Sequence, residues 1–190
     1  MAALKGFTER VMRVAGVETQ VRRGGEGPPL LFIHGVFGMP GWIDACALLA
    51  NSYDVIAPSL PGYGRSARPD WIMSVHDFAA WVTWFARDMG LDKPVRVVGS
   101  SMGGWIAAEI ACVAPQFMEK LVLVGPMGVK PRQGQIFDYF LEGGMTGLRL
   151  AFHKPEESAE FRKYWGRELT PDETDAIEDR KSTRLNSSHT

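Results

Sequence analysis

The chain has 190 residues, is 45% hydrophobic and 11% aromatic, and carries a net charge of −1. That is enough apolar material for one globular domain with a core. Lys and Arg are scattered, so nothing points to nucleic acid or an anionic membrane surface, and no apolar run reaches membrane-spanning length. The first ten residues hold no signal-peptide core, and a cytoplasmic address follows by default. Cys46 and Cys112 stand alone in apolar settings and read as core packing rather than a disulfide.

Arg10 to Arg23, with Val11, Val14, Val17 and Val21 around Gly16, predicts a two-stranded hairpin. Gly24 to Pro29 is a turn cluster. Leu30 to Ile33 predicts a buried strand leading into His34-Gly35-Val36. Trp42 to Asn51 predicts a short helix, and Tyr53 to Ala57 the next strand, running into Pro61-Gly62-Tyr63-Gly64-Arg65-Ser66. Ser74 and Asp77 stand at capping-box spacing. The helix they open carries Val75, Phe78, Ala79, Val82, Phe85, Ala86 and Met89 as one apolar stripe, with Trp84 opposite it and Gly90 closing it.

Val95 to Val98 predicts another buried strand, and Met102 to Ala114 a helix closed by Pro115. Between them lies Gly99-x-Ser101-x-Gly103. A serine on a tight strand-to-helix turn projects its hydroxyl from the carboxyl edge of a sheet. The helix amino terminus behind it offers donors and a positive dipole end to a developing oxyanion. The helix itself is apolar nearly all round, as one packed on a central sheet would be, and its one charge, Glu109, is expected to face solvent. Lys120 to Val124 predicts a further buried strand. Alternating strands and helices argue a mostly parallel α/β sheet. From Pro131 the pattern changes to short amphipathic helices over Ile136–Leu141, Leu148–Phe152 and Glu156–Trp165, with a further helix start at Thr170-Pro171.

Taken in order, His34-Gly35 after a strand, Pro61 to Ser66 after the next, and the Ser101 turn resemble the α/β-hydrolase fold family, in particular its cap-bearing serine hydrolases. The resemblance implies an α/β-hydrolase core over residues 1–130, lacking its last strands, and the start of a helical cap over 131–178. It implies that Ser101 is the nucleophile, that the backbone N–H groups of Val36 and Met102 form the oxyanion hole, and that His34, Gly35, Gly99 and Gly103 support them. Ser100 stands where the family often has histidine and is expected to affect only the pocket wall; Ser59 stands where aspartate is frequent and reads as structural.

Asp179 to His189 match, codon for codon, the translation of a common sequencing-adapter oligonucleotide. Residues 179–190 are therefore expected to be non-native read-through, with the natural sequence stopping near Glu178. The family order is serine, acid, histidine, and the strand tip Leu123-Val124-Gly125-Pro126 carries no acid. His153 falls in the cap and His76 opens the amphipathic helix, so the triad acid and histidine are expected beyond this chain.

The expected activity is hydrolysis of a small or medium carboxylic ester, thioester or lactone through an acyl-enzyme, with no metal or organic cofactor, a small-molecule substrate as the one partner, and no assigned oligomeric state. Serine rather than aspartate at the turn argues against epoxide-hydrolase and haloalkane-dehalogenase chemistry. The alternatives are a carbon–carbon bond hydrolase of the same fold and a non-catalytic ligand-binding protein on it.

Overall fold

The computed structural model describes residues 6–130, 132–133, 149–150 and 152–164. It divides into two compact units, residues 1–130 and 131–190. The first unit is a six-stranded sheet of order β1-β2-β4-β3-β5-β6. Its strands are β1 (Thr8–Val14), β2 (Val17–Gly24), β3 (Pro29–Ile33), β4 (Asp54–Pro58), β5 (Val95–Ser100) and β6 (Met118–Val124). The β1–β2 and β2–β4 pairs are antiparallel, and β3, β4, β5 and β6 run parallel to one another. The β1–β2 hairpin turns on Ala15 and Gly16, both at positive φ (48° and 75°), as a two-residue turn matched to strand twist requires.

Helices cover both sheet faces, because side chains alternate along each strand. Leu30, Phe32, Val55 and Ala57 face one way and pack with Cys46 and Ala50 of the α1 (Asp44–Leu49) region. Leu31, Ile33, Ile56 and Val97 face the other way and pack with α2 (Val75–Asp88) and α3 (Met102–Val113). The Ser74–Asp77 capping box forms as read: the Ser74 hydroxyl accepts from the Asp77 N–H while the Asp77 carboxylate accepts from the Ser74 N–H. Hydrogen bonds donated to the Asp77 carboxylate by the Ser74 hydroxyl (2.8 Å), and then by the Met73 and Ser74 N–H groups, hold the Asp77 carboxyl below its ordinary pKa.

Burial departs from the sequence reading at four places. Trp81 lies outside the expected stripe of α2 and is fully buried beside Phe85, ring centroids 5.2 Å apart. The helix is embraced by the sheet and by α3 together, which widens its buried arc beyond one stripe. Trp84 is exposed as expected and packs against Trp71. Cys46 is buried, but Cys112 is exposed on α3. On the same helix Trp105 and Val113 are exposed, so α3 is buried on the side facing the sheet and α2 and not all round. Lastly, β6 reads as a buried strand from its composition but is an edge, as a core lacking its last strands implies, and Val122, Leu123 and Val124 are exposed.

In the second unit, the described residues include Arg149 and Leu150 in helical conformation, a single 3-10 turn at Pro155–Glu157 and α4 (Ala159–Tyr164). Phe152 and Phe161 meet edge to face at 5.4 Å, and Arg149 lies 5.6 Å above the Phe161 ring while pairing with Glu156. The helices expected at Ile136–Leu141 and from Thr170, and the segment 179–190 expected to be read-through, lie outside the described residues. No helix among the described residues is long and apolar enough to cross a membrane.

Two outcomes follow. The Trp81 indole N–H is buried with no hydrogen-bond partner among the described residues, so Trp81→Phe removes an unsatisfied donor and should shift urea-unfolding stability by less than about 1.5 kcal/mol, whereas Phe85→Ala should cost about 3–5 kcal/mol. Burial pushes the Cys46 thiol up to about 12, an effect that the nearby Arg22 charge only partly offsets. Under native conditions a thiol reagent should therefore modify Cys112 and leave Cys46 intact until denaturant is added, as peptide mapping would show.

Candidate active site

Ser101 sits between the end of β5 and the first residue of α3, with φ 54° and ψ −118°. An L-residue holds such a conformation only when its surroundings over-determine it. Here the Ser101 N–H donates to the Val124 carbonyl (2.9 Å), and the Ser101 carbonyl accepts from Gly104 (3.0 Å), Trp105 (3.1 Å) and Met127 (3.0 Å). The backbone is thus fixed by β6, by α3 and by the turn after β6.

The glycines of the motif allow this convergence. A Cβ on Gly99 would stand 2.5 Å from the Gly103 carbonyl oxygen. One on Gly103 would run into the Ile33 carbonyl oxygen and lie 2.6 Å from that of His34. Strand β3, strand β5 and helix α3 therefore meet backbone to backbone, and only hydrogen fits between them.

The same closeness brings the loop after β3 to the serine. A Cβ on Gly35 would be 2.9 Å from the Ser101 Cβ and 3.4 Å from its Oγ. Val36 follows directly, inside a turn closed by the Gly38 N–H donating to the Gly35 carbonyl (3.0 Å). Met102 opens α3, where the first backbone N–H groups have no partner within the helix. Ser101, Gly35 and the amino end of α3 are thereby assembled in one place.

His34 is buried beneath this loop. Its Nε2 accepts from the Leu60 N–H (2.9 Å), which assigns the proton to Nδ1, 2.8 Å from the Gly35 carbonyl. The Tyr63 ring meets His34 edge-on at 4.9 Å, and the Tyr63 hydroxyl contacts the Met102 sulfur at 3.8 Å. The turn at Pro61 to Ser66 thus leans on both halves of the site. Ser59 is buried and donates to Gln20 Oε1 (3.2 Å), a structural setting.

Ser100 points elsewhere. With Phe32, Ile43, Leu48, Leu49, Val98, Val122 and Val124 it lines an apolar cavity of about 490 Å³ on the α1 face, which Ser101 does not line. His76 pairs with half-exposed Glu109 (3.0 Å) on the outer surface of α2 and α3, and His153 is exposed in the second unit. Among the described residues, no imidazole or carboxylate is hydrogen bonded to the Ser101 hydroxyl.

Comparison with known proteins agrees with this geometry. Residues 28–188 match the family model for the alpha/beta hydrolase fold. The chain belongs to that family. It is 32% identical over 136 residues to the 2-hydroxy-6-oxo-6-(2'-aminophenyl)hexa-2,4-dienoic acid hydrolase of Metapseudomonas resinovorans, covering 65% of this chain and 44% of that protein. Among solved structures it resembles a bacterial membrane phospholipase A, with 34% identity and a TM-score of 0.62, over 68% of this chain and 43% of that one. It also resembles a serine hydrolase involved in carbazole degradation, with 31% identity and a TM-score of 0.62, over 77% of this chain and 56% of that one. The chain spans less than half the length of the curated relatives it matches.

The backbone crowding at Gly103 makes a direct test. Gly103→Ala has no room to relax against the Ile33 and His34 carbonyls and should lower stability by about 3 kcal/mol or more, read as a fall in the unfolding midpoint.

Proposed function

We propose that this chain carries the nucleophile and the oxyanion-binding part of a cytoplasmic serine hydrolase. The observation that carries the reading is the strained Ser101 backbone at the strand-to-helix turn, with its hydroxyl against Gly35. In this reading the Ser101 Oγ attacks a substrate carbonyl, its proton passes to a base, and the carbonyl oxygen becomes an oxyanion between the Val36 and Met102 N–H groups. Collapse of the tetrahedral species expels the leaving group and leaves an acyl-Ser101, which water then releases. His34 braces the loop instead of acting as the base, since both its ring nitrogens are engaged by backbone groups. The acid and the histidine of the triad come from outside the described residues.

The substrate we propose is a small or medium ester, thioester or lactone. A second reading is favoured by the likeness to a dienoic acid hydrolase: cleavage of a carbon–carbon bond next to a carbonyl in a diketone-like acid. Both begin at the same serine, so the class is decided by substrate and not by nucleophile.

In the full-length gene product, a fluorophosphonate probe should label one site. Ser101→Ala should abolish labelling, and Ser100→Ala should leave it within about threefold of wild type. Undiminished labelling of Ser101→Ala would end the assignment. Turnover of p-nitrophenyl acetate, set against that of a 2-hydroxy-6-oxo-dienoate, separates the two substrate classes: at least a hundredfold preference in kcat/KM for the dienoate would favour carbon–carbon cleavage.

A further inference from the structure

Arg22 is a buried cation that the proposed chemistry does not use. It lies on β2, its side chain is 7% exposed, and it is the one Lys, Arg, Asp or Glu among the buried polar residues of the described chain. Taking a guanidinium out of water is expensive unless it is fully paired. Its Nε donates to Glu9 Oε2 (2.7 Å), on the residue directly across the β1–β2 ladder. Its Nη1 donates to the Met39 carbonyl (3.1 Å).

The second bond reaches the loop beside Ser101. Met39 is buried and directly follows the Gly35–Gly38 turn that contains Val36. The other oxygen of Glu9 accepts from Arg65 (2.5 Å), in the Pro61–Ser66 turn that supports His34 through Tyr63. A hydrogen bond from the Gln20 side chain, with Arg22 and Arg65 beside it, holds the Glu9 carboxyl below its ordinary pKa, so the bridge is charged at neutral pH.

We propose that Arg22, clamped by Glu9, is a positioning residue that fixes the Gly35–Met39 loop from behind and so sets where the Val36 N–H points. A proposed oxyanion donor acts only when aimed at the developing charge; one donor is worth about 10²–10³ in kcat, and a displacement of about 1 Å can cost 10²-fold. The role for catalysis rests on the function proposed above. The pinning of the loop does not.

The experiment has two arms on the full-length gene product. In the first, amide hydrogen exchange is followed in Arg22→Met, Arg22→Lys and Glu9→Gln. Arg22→Met should speed exchange at Val36 to Met39 at least tenfold while amides of α2 keep their wild-type protection; Arg22→Lys should fall between it and wild type. If Arg22→Met does not fold, Glu9→Gln should give a smaller change with the same local pattern. Unchanged exchange in the loop, or acceleration spread equally over α2, would overturn the proposal. In the second arm, with p-nitrophenyl acetate as probe, Arg22→Met should lower kcat about 10–100-fold with KM within threefold of wild type, and Arg22→Lys should recover part of the loss. Equal damage to kcat and KM with no recovery by lysine would count against positioning. A wild-type protein whose turnover survives Ser101→Ala would remove the serine-hydrolase reading and leave the exchange result to decide the loop.

Discussion

The near-contact of three backbones at Gly99, Gly103 and the end of β3 governs the rest of the molecule. With only hydrogen between them, β5, α3 and β3 converge, and the one residue joining β5 to α3 is forced to positive φ. A non-glycine residue there costs about 1–3 kcal/mol of backbone strain. The four backbone hydrogen bonds made by Ser101 offset it, and they reach α3, β6 and the turn that follows β6. A strained but over-determined residue is rigid, and rigidity is what a reacting group needs to be held in line with a substrate.

The convergence also separates two adjacent serines. Along β5, Val97 and Gly99 face α2 and α3, while Val98 and Ser100 face the α1 side, where Ser100 enters an apolar cavity. Ser101 belongs to neither face, since it leaves the strand at the turn. The sequence alone favoured Ser100 as part of the wall around Ser101. The pleat instead carries it toward the outer layer, because neighbouring strand residues point to opposite sides.

Much of this was legible in the chain. Short apolar runs marked β3, β4 and β5 within a residue or two, and the Ser74–Asp77 spacing marked the start of α2. Ser101, Gly99 and Gly103 could be singled out because their motif is local, five residues between a strand and a helix, and Gly35 because it follows a strand directly in His34-Gly35. What was missed is tertiary. The burial of Trp81 depends on how α3 lies against α2, and the exposure of Cys112 depends on which sides of α3 have neighbours. The Arg22 bridge joins residues 13 and 17 positions apart, Glu9 and Met39, through a strand register that no periodicity announces.

The hydrogen bonds of His34 constrain the division of labour further. An imidazole that accepts from Leu60 at Nε2 and points Nδ1–H at the Gly35 carbonyl has no lone pair left for a serine proton. Protonating Nε2 would set two donors against each other and release the loop. His34 is therefore committed to its supporting role, since both ring nitrogens are engaged in holding the loop. In the proposed chemistry, the described residues would thus supply orientation and oxyanion stabilisation. In triad knockouts of serine hydrolases such features alone sustain about 10³–10⁴-fold over water. In the proposed chemistry, the base that takes the Ser101 proton would approach from the side of the serine away from Gly35, because a Cβ added at Gly35 would already lie 3.4 Å from the Ser101 Oγ.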